Sequence, residues 1–342
     1  MYKKFIFDKI ILILGLLFIF SCSNPNNPNN DNNGDGGFTG PTEEELIKKY
    51  GIDIGQDDAT ISQQIEANLK AYHDEMGSYR VILTGTPKDY STYESLYTLT
   101  LKAALKVSSS MNIELDIKNI DFQDNTIKTG MFKGYSVDGT ENIVISFIFP
   151  ENKITTIGVR AFDSLYNTKE ITIPDSVTTI ESEAFYSSIS IEKLTLGKNL
   201  KTIGDQAFVY ANGLKEVIIP DSVKTIGIGA FSGPKIETLK LSSSLESIGD
   251  YAFDSTSITE LTIPASVKSI GMQAFAFSQQ LTTVTYLGTT PNDITSAGMA
   301  IFYKCDMLRT LIVPNAPETT TEALKSKWQN FLGGNFTDVR KE

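Results

Sequence analysis

The 342-residue chain is poor in the side chains from which cross-links and common active sites are made. It has two cysteines, Cys22 and Cys305, and one histidine, His73. Two cysteines make no disulfide framework, and without a Cys/His cluster no metal site of the zinc type is expected. A lone histidine with no nucleophile patterned beside it gives a catalytic triad no support. The P-loop, the glycine fingerprint of dinucleotide-binding folds and H-E-x-x-H are missing too. Basic residues are scarce: 30 Lys and Arg against 41 Asp and Glu leave a net charge of -11. A surface of that sign repels phosphate backbones, so nucleic acid is not an expected partner. On these grounds no enzyme activity and no cofactor are expected.

Long apolar runs are also few. One, Ile10 to Phe20, follows Lys3, Lys4 and Lys9. As a helix it reaches about 16 Å, roughly half of a bilayer core. Residues 1–21 are therefore expected to be an export signal rather than a spanning helix. The adjoining Ile19-Phe20-Ser21-Cys22 resembles a bacterial lipobox. That resemblance implies acylation of the Cys22 thiol and membrane lipid as a partner. Buried acyl chains contribute ~0.8 kcal/mol per CH2, enough in sum for durable anchoring.

Residues 22–40 are dominated by Asn, Pro, Gly and Asp and read as a flexible tether. Asp31, Asn33, Asp35 and Gly36 follow the opening of an EF-hand loop, but its closing position falls on Thr42, with Glu43 one residue late. No metal site is assigned there.

From about residue 147 the chain repeats itself. Ala-Phe pairs end at Phe162, Phe185, Phe208, Phe231, Phe253 and Phe275, in steps of 23, 23, 23, 22 and 22 residues. Ile301-Phe302 follows after a step of 27. In phase with them run short apolar segments beginning at Ile171, Leu194, Val217, Leu239, Leu261, Val284 and Leu311, preceded by Phe147. Ile157, Ile180, Ile203, Ile226, Ile248 and Ile270 each stand five residues before a Phe.

Registered series with this period indicate a leucine-rich-repeat solenoid. Each turn, or coil, supplies a parallel strand with alternate residues pointing in and out. Pro174, Pro220, Pro264 and Pro314 end their strands, since proline cannot donate to the ladder. Gly158, Gly204, Gly227, Gly249 and Gly271 follow the interior Ile and are expected at positive φ, with Glu181 as the exception.

These motifs resemble the BspA-type leucine-rich repeats of bacterial surface proteins. Ile173-Pro174-Asp175-Ser176-Val177 and Ile219-Pro220-Asp221-Ser222-Val223 carry the likeness most closely, and it spans about residues 111–316. Cys305 falls in a slot that Ser188, Ala211, Thr256 and Ser278 occupy in other repeats, so a buried thiol is expected there.

The expected architecture is thus an α/β repeat solenoid, 111–316, with an α/β cap over 41–110 and a capping helix and tail over 317–342. Thr42 and Glu45 form a capping box, and Ile61, Ile65, Leu69 and Tyr72 recur at helical spacing. Leu324, Trp328, Phe331 and Leu332 mark a terminal helix stopped by Gly333-Gly334.

A solenoid exposes outward strand residues that can vary without disturbing its core. Here they are Glu170, Thr172, Lys193, Thr195, Glu216, Ile218, Thr238, Lys240, Glu260, Thr262, Thr283 and Thr285. They form the candidate binding face, although a merely solvated sheet would also favour Thr. The resemblance implies binding of host or extracellular-matrix proteins, or of other cells, at the bacterial surface or outer membrane. An envelope scaffold facing the periplasm is the alternative.

Overall fold

The computed structural model describes residues 40–342, so Cys22 and the aspartates of the tether lie outside the described residues. Residues Thr42–Glu342 form one compact unit.

Its N-terminal part begins with helix α1, Glu43–Tyr50. The Thr42 hydroxyl accepts from the Glu45 N–H, and the Glu45 carboxylate accepts from the Thr42 N–H, which closes the capping box. Helix α2, Asp58–Met76, starts at Asp57, whose carboxylate accepts from the Thr60 N–H at 2.9 Å, and ends on left-handed Gly77. Helix α3 covers Leu96–Val107. Helix α2 packs on strands β1 (Gly51–Asp53) and β2 (Tyr79–Gly85), α3 packs on α2, and strand β3 (Ser110–Ile120) pairs with β2.

These strands belong to a four-stranded parallel sheet completed by β5, Asn142–Ile148. Strand β4, Thr126–Ile127, lies elsewhere. The sheet therefore crosses the expected boundary at residue 110. At its far edge β5 meets the first full coil. The Ile145 N–H donates to the Asn167 carbonyl at 2.8 Å, and the Asn167 side chain donates to the Ile143 carbonyl at 2.9 Å.

The solenoid has two strand series. The Thr/Ser-Ile pairs form an eight-stranded parallel sheet from β4 to Ser296–Ala297. Ile127, Ile157, Ile180, Ile203, Ile226, Ile248 and Ile270 stand in register within it, all buried. Segments such as Glu170–Thr172 and Lys193–Thr195 build the second strand face, again parallel and in register. Between the faces the phenylalanines stack. Rings from Phe132 through Phe275 lie 5.0–5.5 Å apart and within 10° of parallel. That spacing follows the ~4.8 Å separation of hydrogen-bonded strands. The Ala before each Phe from Phe162 to Phe275 is fully buried, and Met131 and Ile301 take the same buried place before Phe132 and Phe302.

The turn around each Phe also bonds to the next coil. The N–H groups of Phe162, Phe185, Phe208, Phe231 and Phe253 donate to the Ala carbonyl one coil on, at 2.8 Å in each case. Residues in the left-handed region make this geometry, and they are not the expected glycines. Arg160 and Ser164, Glu183 and Ser187, and Gln206 and Tyr210 take positive φ, while Gly204 and Gly271 do not. The glycines serve close approach instead. A Cβ on Gly204 would lie 2.7 Å from the Glu181 carbonyl carbon, and one on Gly271 would lie 2.3 Å from the Asp250 nitrogen. At the exceptional Glu181 the side chain is put to use, accepting from the Val159 N–H at 3.0 Å.

The C-terminal end differs from expectation in two respects. Helix α4 covers only Thr321–Trp328, and Leu332 and Gly333 turn through positive φ. The remaining tail is not loose: Asp338–Arg340 adds a parallel strand beside Thr310–Ile312. Trp328 is fully buried against Tyr286 and Phe331, and its indole N–H donates to Glu318 at 3.2 Å. The returning strand pairs the backbone groups of Thr310–Ile312 that a helix alone would leave open.

Replacing Phe208, at the middle of the stack, with Ala removes a fully buried ring whose neighbours are held by backbone bonds and cannot collapse into the gap. The expected cost is about 3–5 kcal/mol. Urea unfolding of Phe208→Ala beside the parent checks it, and a loss below about 1 kcal/mol would contradict a continuous core.

Candidate binding surface

The outward strand residues fall into two columns. Glu170 pairs in register with Lys193, and Thr172 with Thr195. Glu216 pairs with Thr238 and Ile218 with Lys240, then Glu260 with Thr283 and Thr262 with Thr285. All are exposed except Thr283 and Thr285, which are half-buried.

Within the charged column Glu170 is compensated by Lys193, and the adjoining column adds two further pairs. Lys193 reaches Glu170 at 3.3 Å, Lys169 reaches Glu192 at 3.2 Å, and Lys215 reaches Glu237 at 3.5 Å. Charge alternates along and across neighbouring coils. Exposed pairs of this kind contribute roughly 0–1 kcal/mol each, so their main effect is to cancel charge. Glu170 and Lys193 thus present less net field to a partner than their sequence suggests.

A groove opens further along the face. It holds about 700 Å³ and is lined by Lys240 and Thr262 from the candidate face, joined by Asp221, Leu239, Leu241, Pro264, Leu287 and Asn315. Three departures from the repeat create it. Leu241-Ser242-Ser243 stands where the coils of Ile171 and Val217 have Ile-Pro-Asp. The coils carrying Leu239 and Leu261 are one residue short, with eight steps from Phe to strand instead of nine. Finally, an insertion after Tyr286 lengthens the next coil to 27 residues.

Ser243 donates its N–H to the Asp221 carboxylate at 2.9 Å, which holds that carboxyl below its usual pKa. Asn315 donates to the Leu287 carbonyl at 2.6 Å and fixes the rim. Leu241, Leu287 and Asn315 were not singled out by sequence, and Asp221 only as part of its repeat motif, although the missing proline and the irregular steps marked the place.

The insertion is pinned by Asp293. Its carboxylate accepts N–H bonds from Thr290 at 2.9 Å and Thr289 at 2.7 Å, with both hydroxyls adding to them. Those backbone bonds lower its pKa to about 2. Beneath, the Tyr286 phenol is buried without a partner, and burial pushes its pKa up to about 12.

Cys305 is buried in the small-residue slot, where its thiol donates to the Phe275 carbonyl at 3.2 Å. Ser188 does the same toward Phe162 at 2.9 Å, so the slot uses a small donor as well as a small volume. Burial raises the Cys305 pKa to about 11, which leaves it mostly unionised and unreactive at neutral pH. His73 is exposed near the end of α2 and stacks on Tyr79 at 4.2 Å. Among the described residues no cluster of three or more His, Cys, Asp or Glu is placed to hold a metal ion, and no helix is long and apolar enough to cross a membrane.

The family model for the BspA type leucine-rich repeat region matches residues 139–256 and 246–327, in six copies. The chain belongs to this BspA-type family. Solved structures with a similar fold include a leucine-rich repeat protein from Bacteroides ovatus, 22% identical over 68% of this chain, with a TM-score of 0.49. The chain spans 59% of the length of that protein. The T. pallidum leucine-rich repeat protein is 23% identical over 59% of this chain and 79% of its own, with a TM-score of 0.38. A leucine-rich cell surface protein from Faecalibacterium prausnitzii is 15% identical over 76% of this chain and 83% of its own, with a TM-score of 0.40. No curated protein matches the sequence. Membership in the BspA-type family is compatible with a binding role.

Because its folded-state pKa lies below the ordinary carboxylate value, Asp293 stabilises the fold above about pH 4, and that contribution fades as pH falls toward 2. Asp293→Asn should lower the urea midpoint at pH 7, and the gap to the parent should close near pH 2. A gap that stays constant with pH would contradict the carboxylate's role.

Proposed function

We propose that this chain is an exported, lipid-anchored binding protein of the cell surface, an adhesin whose strand face recognises a host or matrix protein or another cell. The observation that carries this reading is the groove of about 700 Å³ on the strand face. Its size suits a small set of anchoring side chains from a partner, and its lining mixes apolar walls with a few polar groups. Lys240 and Asp221 line it as orienting charges, while the ion pairs of Glu170 with Lys193 and of Lys169 with Glu192 lie on earlier coils of the same face. The proposed organisation is a leader over 1–21, acylated Cys22 with a tether to residue 40, the cap from 41, the solenoid to 316 and the closing segment 317–342. The tether holds the recognition face away from the lipid.

Two tests address the two halves of the proposal. The purified chain, screened against matrix proteins and whole cells, should bind a partner, and the pair Lys240→Glu and Thr262→Arg should weaken that binding at least tenfold with an unchanged melting temperature. Retained affinity would remove the groove from the interface. In cells, Cys22→Ser should release the protein from the membrane fraction, and the parent should be cleaved by protease added to intact cells. Protection until the envelope is opened would rule out a surface adhesin.

A further inference from the structure

A second concavity lies in the turns around the phenylalanines, away from the groove. Each coil there has two left-handed residues, one just before the Ala and one two places after the Phe. They are Glu183 and Ser187, Gln206 and Tyr210, Tyr251 and Ser255, then Gln273 and Phe277 in successive coils. In the coil of Phe231 both are glycine, Gly229 at φ +59 and Gly233 at φ +102. One coil thus lacks two side chains that its neighbours carry.

The result is a pocket of about 240 Å³ between Tyr186 and Tyr210 on one side and Tyr251 on the other, with Gln206 and Ser232 reaching its surface. The Tyr186 and Tyr210 rings meet edge to face, with centroids 5.9 Å apart at 79°. Tyr210 is 50% exposed. A Cβ on Gly233 would come within 2.9 Å of the Tyr210 ring, so glycine there makes the space that the ring occupies. At Gly229 a Cβ would meet only side-chain atoms, at 3.6 Å or beyond, and a side chain would project into the pocket. Bulky residues at positive φ are uncommon, yet both Tyr210 and Tyr251 stand there beside the glycines. No lining residue is charged, on a chain whose net charge is -11.

We propose that this pocket binds one ring of a neutral saccharide. Aromatic faces carry negative charge density and attract the aliphatic C–H groups of a sugar ring. The Gln206 amide, the Ser232 hydroxyl and the phenols offer both donors and acceptors, as sugar hydroxyls require. The lining itself is uncharged, and the Arg160 guanidinium, 5.8 Å from the Tyr186 ring centre, is already paired with Glu183, which disfavours a phosphate, an acidic sugar or a charged peptide side chain. The volume lies below the ~300 Å³ at which sites for larger organic ligands begin. The site is independent of the groove on the strand face.

Saturation-transfer difference NMR of the full chain with a panel of neutral trisaccharides (cellotriose, xylotriose, mannotriose, maltotriose and triacetylchitotriose) tests it. At least one should receive saturation, concentrated on the ring C–H protons of a single sugar. Tyr210→Ala should weaken that binding at least tenfold. Gly229→Gln restores the side chain that Gln206 and Gln273 bear at the same left-handed place, and it should abolish binding while leaving the melting temperature unchanged. Partner binding by the strand face should survive both changes. Silence across the whole panel, or binding that Gly229→Gln leaves intact, would overturn the proposal. So would displacement of the sugar by a neutral peptide such as Gly-Tyr-Gly.

Discussion

The backbone bonds that tie each coil to the next constrain everything else in this protein. They run through the two-residue strands, through the longer strand face and through the turns around the phenylalanines. Once three parts of a coil are held at the separation of adjacent strands, every interior side chain must repeat at the same separation. Phe stacks on Phe and Ile on Ile because no other arrangement fills the interior evenly. The same closeness explains the glycines after the interior Ile, which leave room for the backbone of the neighbouring coil rather than for an unusual φ.

A lattice this regular makes its irregularities informative. Where the repeat is kept, several outer charges pair across neighbouring coils. Where a coil is shortened, loses its proline or gains an insertion, the strand face opens into a groove. Where one coil loses two side chains to glycine, the turn face opens between tyrosines. Both concavities arise from local departures that leave the interior stack intact, with Phe231 and Phe253 still parallel within 3°. Surface shape and stability are therefore carried by different positions of the same repeat, which is how a solenoid can diversify its surface.

The ends obey a different rule, because there the sheet must stop. At the N-terminus a separate α/β layer delivers β5 to the first coil, locked by Asn167 and by Thr168, whose hydroxyl donates to the Ile145 carbonyl. At the C-terminus a returning strand and the packing of Trp328 on Tyr286 close the core. Each device pairs backbone groups that would otherwise face solvent as an open edge.

The repeat itself was legible in the chain. The in-phase Ala-Phe and strand series specify stacked parallel coils, because a period kept over many repeats leaves one inward-facing set of side chains. The capping box of Thr42 and Glu45 placed α1, and the helical spacing of Ile61, Ile65, Leu69 and Tyr72 placed α2, since both signals act within a few residues of themselves. The tertiary structure alone decided what depends on neighbours across coils. It set the true purpose of the glycines, the pairing of Glu170 with Lys193, the passage of the cap's sheet beyond residue 110 and the final strand at Asp338–Arg340. It also set the two concavities, for a cavity exists only relative to the coils on either side of it. Periodicity reports which residues are equivalent. Distance between equivalents, which fixes contact, charge balance and shape, is a property of the stack.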